Sequence, residues 1–294
     1  MTVSAESSFG SRLAAAFDTR GQLCVGIDPH PYLLNAWGLT DDAAGLAEFG
    51  LRVIDATVGQ AGIVKPQVAF FERHGSAGIS ALEQVLAAAR AAGLLIIADA
   101  KRGDVGTSVE AYGQAWLQPG SALEADALTV SAFQGVDSLA APIALAAASG
   151  KGLFILAATS NPESVQTQTA VISRGRQAGR TVAAGIVAEV VERNRLRHAA
   201  DSAVLASVGV VLGATVDFVD YGIDLESLAA GVGTPILAPG FGHQGAEFAQ
   251  LGALYGPAAA VAVVSVSRSI LAAGPDGIGT ALAAQAKAVL QWRV

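Results

Sequence analysis

Several things are scarce in this chain of 294 residues. It has one cysteine, Cys24, so no disulfide can form within it. Cys24 lies in the apolar run "LCVGID" and reads as a small core residue. No Cys/His spacing pattern points to zinc, and a single thiol fits a reducing compartment such as the cytoplasm. Long apolar runs are also missing. Hydrophobic residues make up 52% of the chain and the mean hydropathy is +0.48. Yet runs such as "PAAAVAVVSV" (Pro257–Val266) fall short of the ~18 residues that suggest a membrane span. The N-terminal "MTVSAESSFGSRL" has no basic stretch followed by an apolar one, so no secretory signal is expected. Charge is sparse, at 15% of residues, with a net charge of −7 and a pI near 5.1. No Lys/Arg stripe is interleaved with aromatics, which argues against a nucleic-acid polymer as partner. A small anionic ligand needs only a few local cations and stays open.

What the chain does have is a recurrence of short apolar, β-branched runs: Leu23–Ile27, Ala61–Lys65, Leu94–Ala98, Ala127–Val130, Leu153–Ala157, Val208–Leu212, Pro235–Ala238 and Val261–Val266. Ala-rich stretches of helical periodicity lie between them: Ala43–Val58, Ser80–Ala91, Val109–Leu117, Asp137–Ala148, Ser173–Arg195 and Ala246–Leu254. Strand alternating with helix implies parallel βαβ units, and near-continuous apolar strands imply a sheet covered on both faces. About eight units give an α/β fold of the (β/α)8 TIM-barrel type, one domain over 1–294. A doubly wound open sheet is the runner-up. Residues 161–197 are too long for an ordinary connection and read as a loop plus a long helix after the fifth strand.

In a barrel of this kind the active site lies at the C-terminal ends of the strands. Those ends carry Asp28, Lys65, Asp99 with Lys101 and Asp104, "TSN" at Thr159–Asn161, "PGFGHQG" at Pro239–Gly245, and "SVSRSI" with Arg268. All are expected on one rim. Residues two apart on a strand point to the same side, so Asp99 and Lys101 are expected to project together into the mouth. Asp104 falls at the start of the next helix, where a carboxylate can also serve as a plain cap. A lysine between carboxylates stays protonated, which suits a positioned cation and proton donor. The same carboxylates could instead ligate Mg²⁺. After the seventh strand, Gly240, Gly242 and Gly245 make either a tight turn or a phosphate cradle. Arg268, after the eighth, offers a bidentate fork to phosphate.

Together these residues resemble the orotidine 5'-phosphate decarboxylase family. The resemblance rests on the D-x-K-x-x-D signature, here "DAKRGDV", in the DAKRGD form of a longer bacterial branch. It rests also on "PGFGHQG", "SRSI", Asp28, Lys65 and "TSNP", and so runs from about Asp28 to Arg268. It implies decarboxylation of orotidine 5'-monophosphate to UMP without metal or organic cofactor. Lys65, Asp99, Lys101 and Asp104 would form an alternating charged array. Asp99 would face the departing carboxylate, and Lys101 would stabilise and protonate the carbanion. Lys65 would orient Asp99 and contact the ribose. Asp104 would reach the neighbouring subunit's site in a homodimer. Asp28 would bind a ribose hydroxyl and Ser160 the pyrimidine amide edge. Gln244 and Arg268, with backbone N–H near Gly240, would hold the phosphate.

Two segments depart from the family pattern. A Thr is expected four positions after the last motif Asp. Ser108 stands there, preceded by Thr107, and either hydroxyl could meet ribose. After the fourth strand, "SAFQGVDSL" replaces an expected "NPYLGxDSL", with Phe133 and Gln134 in the polar turn. Two other readings compete: an Mg²⁺-dependent lyase or aldolase of sugar phosphates, and a silent nucleotide-binding protein. His30, His74, His198 and His243 are dispersed and read as loop or solvent residues. Trp37, Trp116 and Trp292 read as packing residues, and "VVERNRLRH" as a solvated helix end. The long apolar side chains of "QVAFF" are expected at a dimer interface, with Phe71→Asp giving monomers.

Overall fold

The computed structural model describes residues 8–198, 204–242 and 245–290. His243, Gln244 and Trp292 lie outside the described residues. Ser8 caps the first helix, Phe9–Arg20, by accepting from the Ser11 N–H. Phe9, Leu13 and Phe17 recur at helical spacing and are all buried. This helix lies under the barrel. The Phe9 ring meets the Phe154 ring edge-on at 6.0 Å, and a Cβ at Gly152 would stand 2.3 Å from the Phe9 ring. Only glycine lets that plug approach the start of the fifth strand.

Eight parallel strands close into a barrel in sequence order: β1 (Leu23–Ile27), β2 (Ile63–Pro66), β3 (Leu95–Arg102), β4 (Ala127–Ser131), β5 (Gly152–Ala158), β6 (Val208–Leu212), β7 (Ile236–Pro239) and β8 (Ala262–Val266). The open-sheet alternative is thereby excluded. Most strand residues are buried, as an interior sheet ringed by helices requires. Cys24 is fully buried, and burial pushes its thiol up to about 12. Among the described residues, no helix is long and apolar enough to cross a membrane.

The differences from the sequence expectation are informative. β3 runs on to Arg102 instead of stopping at Ala98, and its register against β4 slips between Ala98 and Arg102. The stretch after β5 holds two short turns of helix, Pro162–Ser164 and Val165–Gln168. Its long helix begins only at Val182. The glycines and arginines of "SRGRQAGR" leave the backbone in loop geometry until Thr181 caps the helix through the Ala184 N–H. The helix expected over Asp137–Ala148 opens with a 3-10 turn at Val136–Leu139. That over Ala246–Leu254 reduces to Phe248–Gln250 and Leu251–Tyr255. The helix Gly274–Leu290 lay beyond the last predicted strand and was not anticipated.

Two packing expectations are corrected. Phe71 is fully buried within its own chain, so it cannot form a dimer contact, and an aspartate there would unfold the protein. Asn194, in the supposedly solvated "VVERNRLRH", is 2% exposed and donates to the Val208 carbonyl and the Thr234 hydroxyl. Trp37 and Trp116 are buried packing residues, and the Trp37 indole donates to the Leu271 carbonyl at 3.0 Å.

Candidate active site

A cavity of about 710 Å³ opens at the C-terminal ends of the strands. Asp28, Lys65, Asp99, Lys101, Ser160, Gly240 and Arg268 all line it. Their convergence follows from the barrel, because each sits in the C-terminal part of a strand or within two residues beyond its end.

Asp99 is the centre of the polar floor, and four side chains donate to it. Lys65 Nζ and Gln67 Nε2 each reach Oδ2 at 2.9 Å. Lys101 Nζ reaches Oδ1 at 2.6 Å and Thr129 Oγ1 reaches it at 2.9 Å. Burial alone would raise the Asp99 carboxyl. The Lys65 and Lys101 charges and their hydrogen bonds overcome it and hold the group far below the usual carboxylate range. Burial likewise works to lower the Lys65 ammonium. Attraction from Asp99 and then Asp28 outweighs it, and the net direction is upward. Both groups are therefore charged in the folded protein.

Lys101 differs from Lys65. Its side chain is 47% exposed toward the cavity, while that of Lys65 is 7% exposed. Its φ is +49°, the only positive value at a non-glycine residue among those described. Such backbone conformations are strained and persist where the surroundings impose them. Across the floor, Asp28 Oδ1 is buried with no hydrogen-bond partner. A buried acceptor in that state is costly unless a ligand donates to it.

At the opposite wall, β7 ends in Pro239, and Gly240 turns with φ +114°. Gly242 follows at φ +75°, and a Cβ there would stand 2.6 Å from Ser269 Oγ. Glycine is thus required where this turn packs on the turn after β8. Arg268 begins the short helix Arg268–Leu271 and faces the same cavity. Gln244 lies outside the described residues.

The loop after β5 forms the third wall. The Thr159 N–H donates to Gln168 Oε1, and Gln168 Nε2 donates back to Thr159 Oγ1, each at 2.9 Å. This clamp presents Ser160, which is exposed, to the cavity. Thr167, Gln168, Val182 and Ile186 of the long excursion also line it.

Three expected residues do not join the cavity of their own chain. After Arg102 the chain turns outward, and Asp104 accepts from the Val105 N–H at 2.8 Å. It neither lines the cavity nor bonds to Asp99 or Lys101, so three members of the expected four-member array meet within this chain. Nor is it the helix cap: that position is Val105, with no side-chain bond. Thr107 and Ser108 lie in the exposed first turn of the helix Gly106–Leu117 and do not line the cavity. His30 lies in the loop after β1, as expected, and its ring packs on Phe70 at 4.2 Å in a tilted arrangement.

Gln67 and Thr129 were missed in the sequence. Gln67 follows Lys65 at strand spacing, and Thr129 is the one polar side chain within the run "ALTV". Among the described residues, no group of three or more His, Cys, Asp or Glu side chains could hold a metal ion.

The chain is similar to known proteins over nearly its whole length. The model of the orotidine 5'-phosphate decarboxylase / HUMPS family matches residues 21–283. The orotidine 5'-phosphate decarboxylase of Salinispora arenicola is 48% identical over 92% of this chain and 91% of its own. That of Streptomyces coelicolor is 47% identical over 91% of each. A crystal structure of a Streptomyces avermitilis protein superposes with a TM-score of 0.87 at 44% identity, covering 99% of this chain and 96% of that one. The Leishmania donovani OMP decarboxylase superposes at 0.70 with 29% identity, over 96% and 98%. With a closed eight-stranded barrel, a Lys–Asp–Lys floor and matches of this extent, the chain belongs to the orotidine 5'-phosphate decarboxylase / HUMPS family.

Proposed function

We propose that this protein decarboxylates orotidine 5'-monophosphate to UMP and CO₂ in pyrimidine biosynthesis, in the cytoplasm, with no metal or organic cofactor. The observation that carries the reading is the Lys65–Asp99–Lys101 array at the floor of the cavity, with Lys65 and Asp99 buried, Lys101 open to the cavity and Arg268 in its wall. Arg268 and the backbone around Gly240, with Gln244, take the phosphate. Asp28 accepts from a ribose hydroxyl, which satisfies its orphaned oxygen. Ser160 meets the pyrimidine amide edge.

Phosphate binding lies away from the reacting carbon, so its energy can hold the substrate carboxylate against Asp99. Asp99 is already ionised and cannot relieve the repulsion by taking a proton. The C6–carboxylate bond breaks, CO₂ leaves, and the electron pair stays on C6. The Lys101 ammonium stabilises that carbanion and then gives it a proton, forming UMP. Lys101 regains its proton from solvent, to which it is open. Lys65 keeps Asp99 in place and contacts the ribose.

The outward Asp104 supports a homodimer in which each protomer completes the other's site, with Thr107 or Ser108 beside it on the ribose. Mixing Lys101→Ala with Asp104→Ala protein tests this. Shared sites return roughly a quarter of wild-type activity, since half the dimers are mixed and each has one intact site. Independent sites return none.

The activity is tested by following the ultraviolet absorbance of orotidine 5'-monophosphate in EDTA, beside Lys101→Ala. Turnover that survives EDTA and collapses in the variant is expected. Turnover lost with EDTA would reject the cofactor-free mechanism. No turnover by folded protein would reject the substrate and turn the search to sugar phosphates with Mg²⁺.

A further inference from the structure

Thr129 lies in the middle of β4 and is 1% exposed. Its hydroxyl makes two bonds. Oγ1 accepts from the Lys101 backbone N–H at 3.0 Å and donates to Asp99 Oδ1 at 2.9 Å. Lys101 Nζ reaches that same Oδ1 at 2.6 Å. The backbone and the ammonium of Lys101 are thus tied to one carboxylate oxygen, the first through Thr129 and the second directly.

The reason for the device lies in the sheet. β3 and β4 pair regularly at Ile97 with Ala127 and Ala98 with Leu128, then slip so that Arg102 pairs with Val130. A slip leaves backbone groups without ladder partners. The Lys101 N–H is donated to a side chain, and the residue is held at φ +49°. The lysine side chain is half exposed, so packing covers only part of it. A strained backbone beside an open cavity needs a specific restraint.

We propose that Thr129 is a positioning residue. By bonding the Lys101 backbone and Asp99 together, it sets where the Lys101 ammonium stands when C6 is protonated. With Asp99 ionised, the hydroxyl proton must point to the carboxylate, and a lone pair is left for the Lys101 N–H. One hydroxyl therefore fixes the geometry of both reacting partners. The kinetic consequences rest on the decarboxylase reading; the structural ones do not.

Thr129→Val keeps the shape and removes the hydroxyl, while Thr129→Ser keeps the hydroxyl. In Val, kcat is expected to fall about tenfold or more, the worth of one hydrogen bond to a charged group. KM is expected to stay within about twofold, because phosphate and ribose contacts are untouched. The acid limb of kcat moves to higher pH, since the Asp99 carboxylate loses a donor. Amide exchange at Lys101 accelerates. Ser restores kcat, the acid limb and the amide exchange rate. Wild-type kcat and Lys101 exchange in Val would overturn the proposal. So would equal impairment in Val and Ser with a lowered melting temperature, which marks packing alone. Amide exchange needs no substrate, so it decides the role of Thr129 even if the protein proves not to act on orotidine 5'-monophosphate.

Discussion

Asp126 and Asp99 are each 7% exposed, and each stands between two cations, one at either end of the barrel. At the N-terminal end, Asp126 Oδ1 accepts from Arg12 at 2.5 Å and lies 3.6 Å from Lys151. Its Oδ2 accepts from the Ile96 N–H at 2.9 Å. Lys151 also meets Glu124 at 2.7 Å, and Arg12 donates to the Gly150 carbonyl. The helix Phe9–Arg20 covers this end. At the C-terminal end Asp99 is equally well bonded, but the circuit around it is open. Half of the Lys101 side chain faces a cavity, and Asp28 Oδ1 has no donor. The same pairing chemistry makes a closed structural clasp at one end and an unsatisfied, charged floor at the other. Three of the chain's four lysines, Lys65, Lys101 and Lys151, serve these two clusters.

The sharpest way to break the comparison is to truncate one lysine at each end. Lys101→Ala should lower kcat about 10³-fold, as expected for loss of a general acid that also stabilises charge. Its unfolding free energy should change by less than about 1 kcal/mol, because the pair is half solvated. Lys151→Ala should reverse the pattern. Stability measured by urea titration should fall by about 3 kcal/mol as the clasp loses a buried partner, while kcat of the folded protein persists. Equal effects of the two changes on both readouts would erase the distinction.

A smaller effect is expected at Asp28. Asp28→Asn should raise KM about tenfold, a loss near 1.4 kcal/mol of ligand contact, with the melting temperature lowered only slightly, by the lost attraction for Lys65. The wild-type oxygen has no partner to lose in the free protein. A marked drop in melting temperature would mean that Asp28 belongs to the structural class.

The mildest test is pH. Asp99 is depressed below its unfolded value of about 3.9, so its contribution to stability is present above pH ~4 and is lost as pH falls through the depressed value. Lys65 is raised above about 10.4, so its contribution is present below that and is lost as pH rises through the raised value. Between those limits neither group should produce a limb in the kcat profile. Urea midpoints of wild type and Asp99→Asn should converge as the medium becomes more acidic than pH ~3. Curves that stay parallel would show that Asp99 carries no depressed titration.

The strands were legible because each is a short, buried, β-branched run. β1 and β6 match their predicted spans residue for residue. Strand ends named the charged residues of the cavity, since the barrel fixes which ends share a rim. Helix Phe9–Arg20 carried the signal of Phe9, Leu13 and Phe17 at spacing four, but it precedes the first strand and falls outside the alternation. Phe71 and Asn194 were misplaced because local pattern does not say which neighbour covers a side chain.

By itself, the sequence determined the barrel, the order of its strands and the set of polar residues delivered to one rim. Periodicity and position at a strand end are local properties, and parallel βαβ units leave few ways to assemble. Tertiary structure alone decided which of those residues meet. It joined Lys65, Gln67, Lys101 and Thr129 on Asp99, turned Asp104 away from them, and left Asp28 without a donor. The meeting of Lys101 and Thr129 coincides with the β3–β4 register slip and the positive φ of Lys101, features that local sequence does not carry because they involve two separate strands laid side by side.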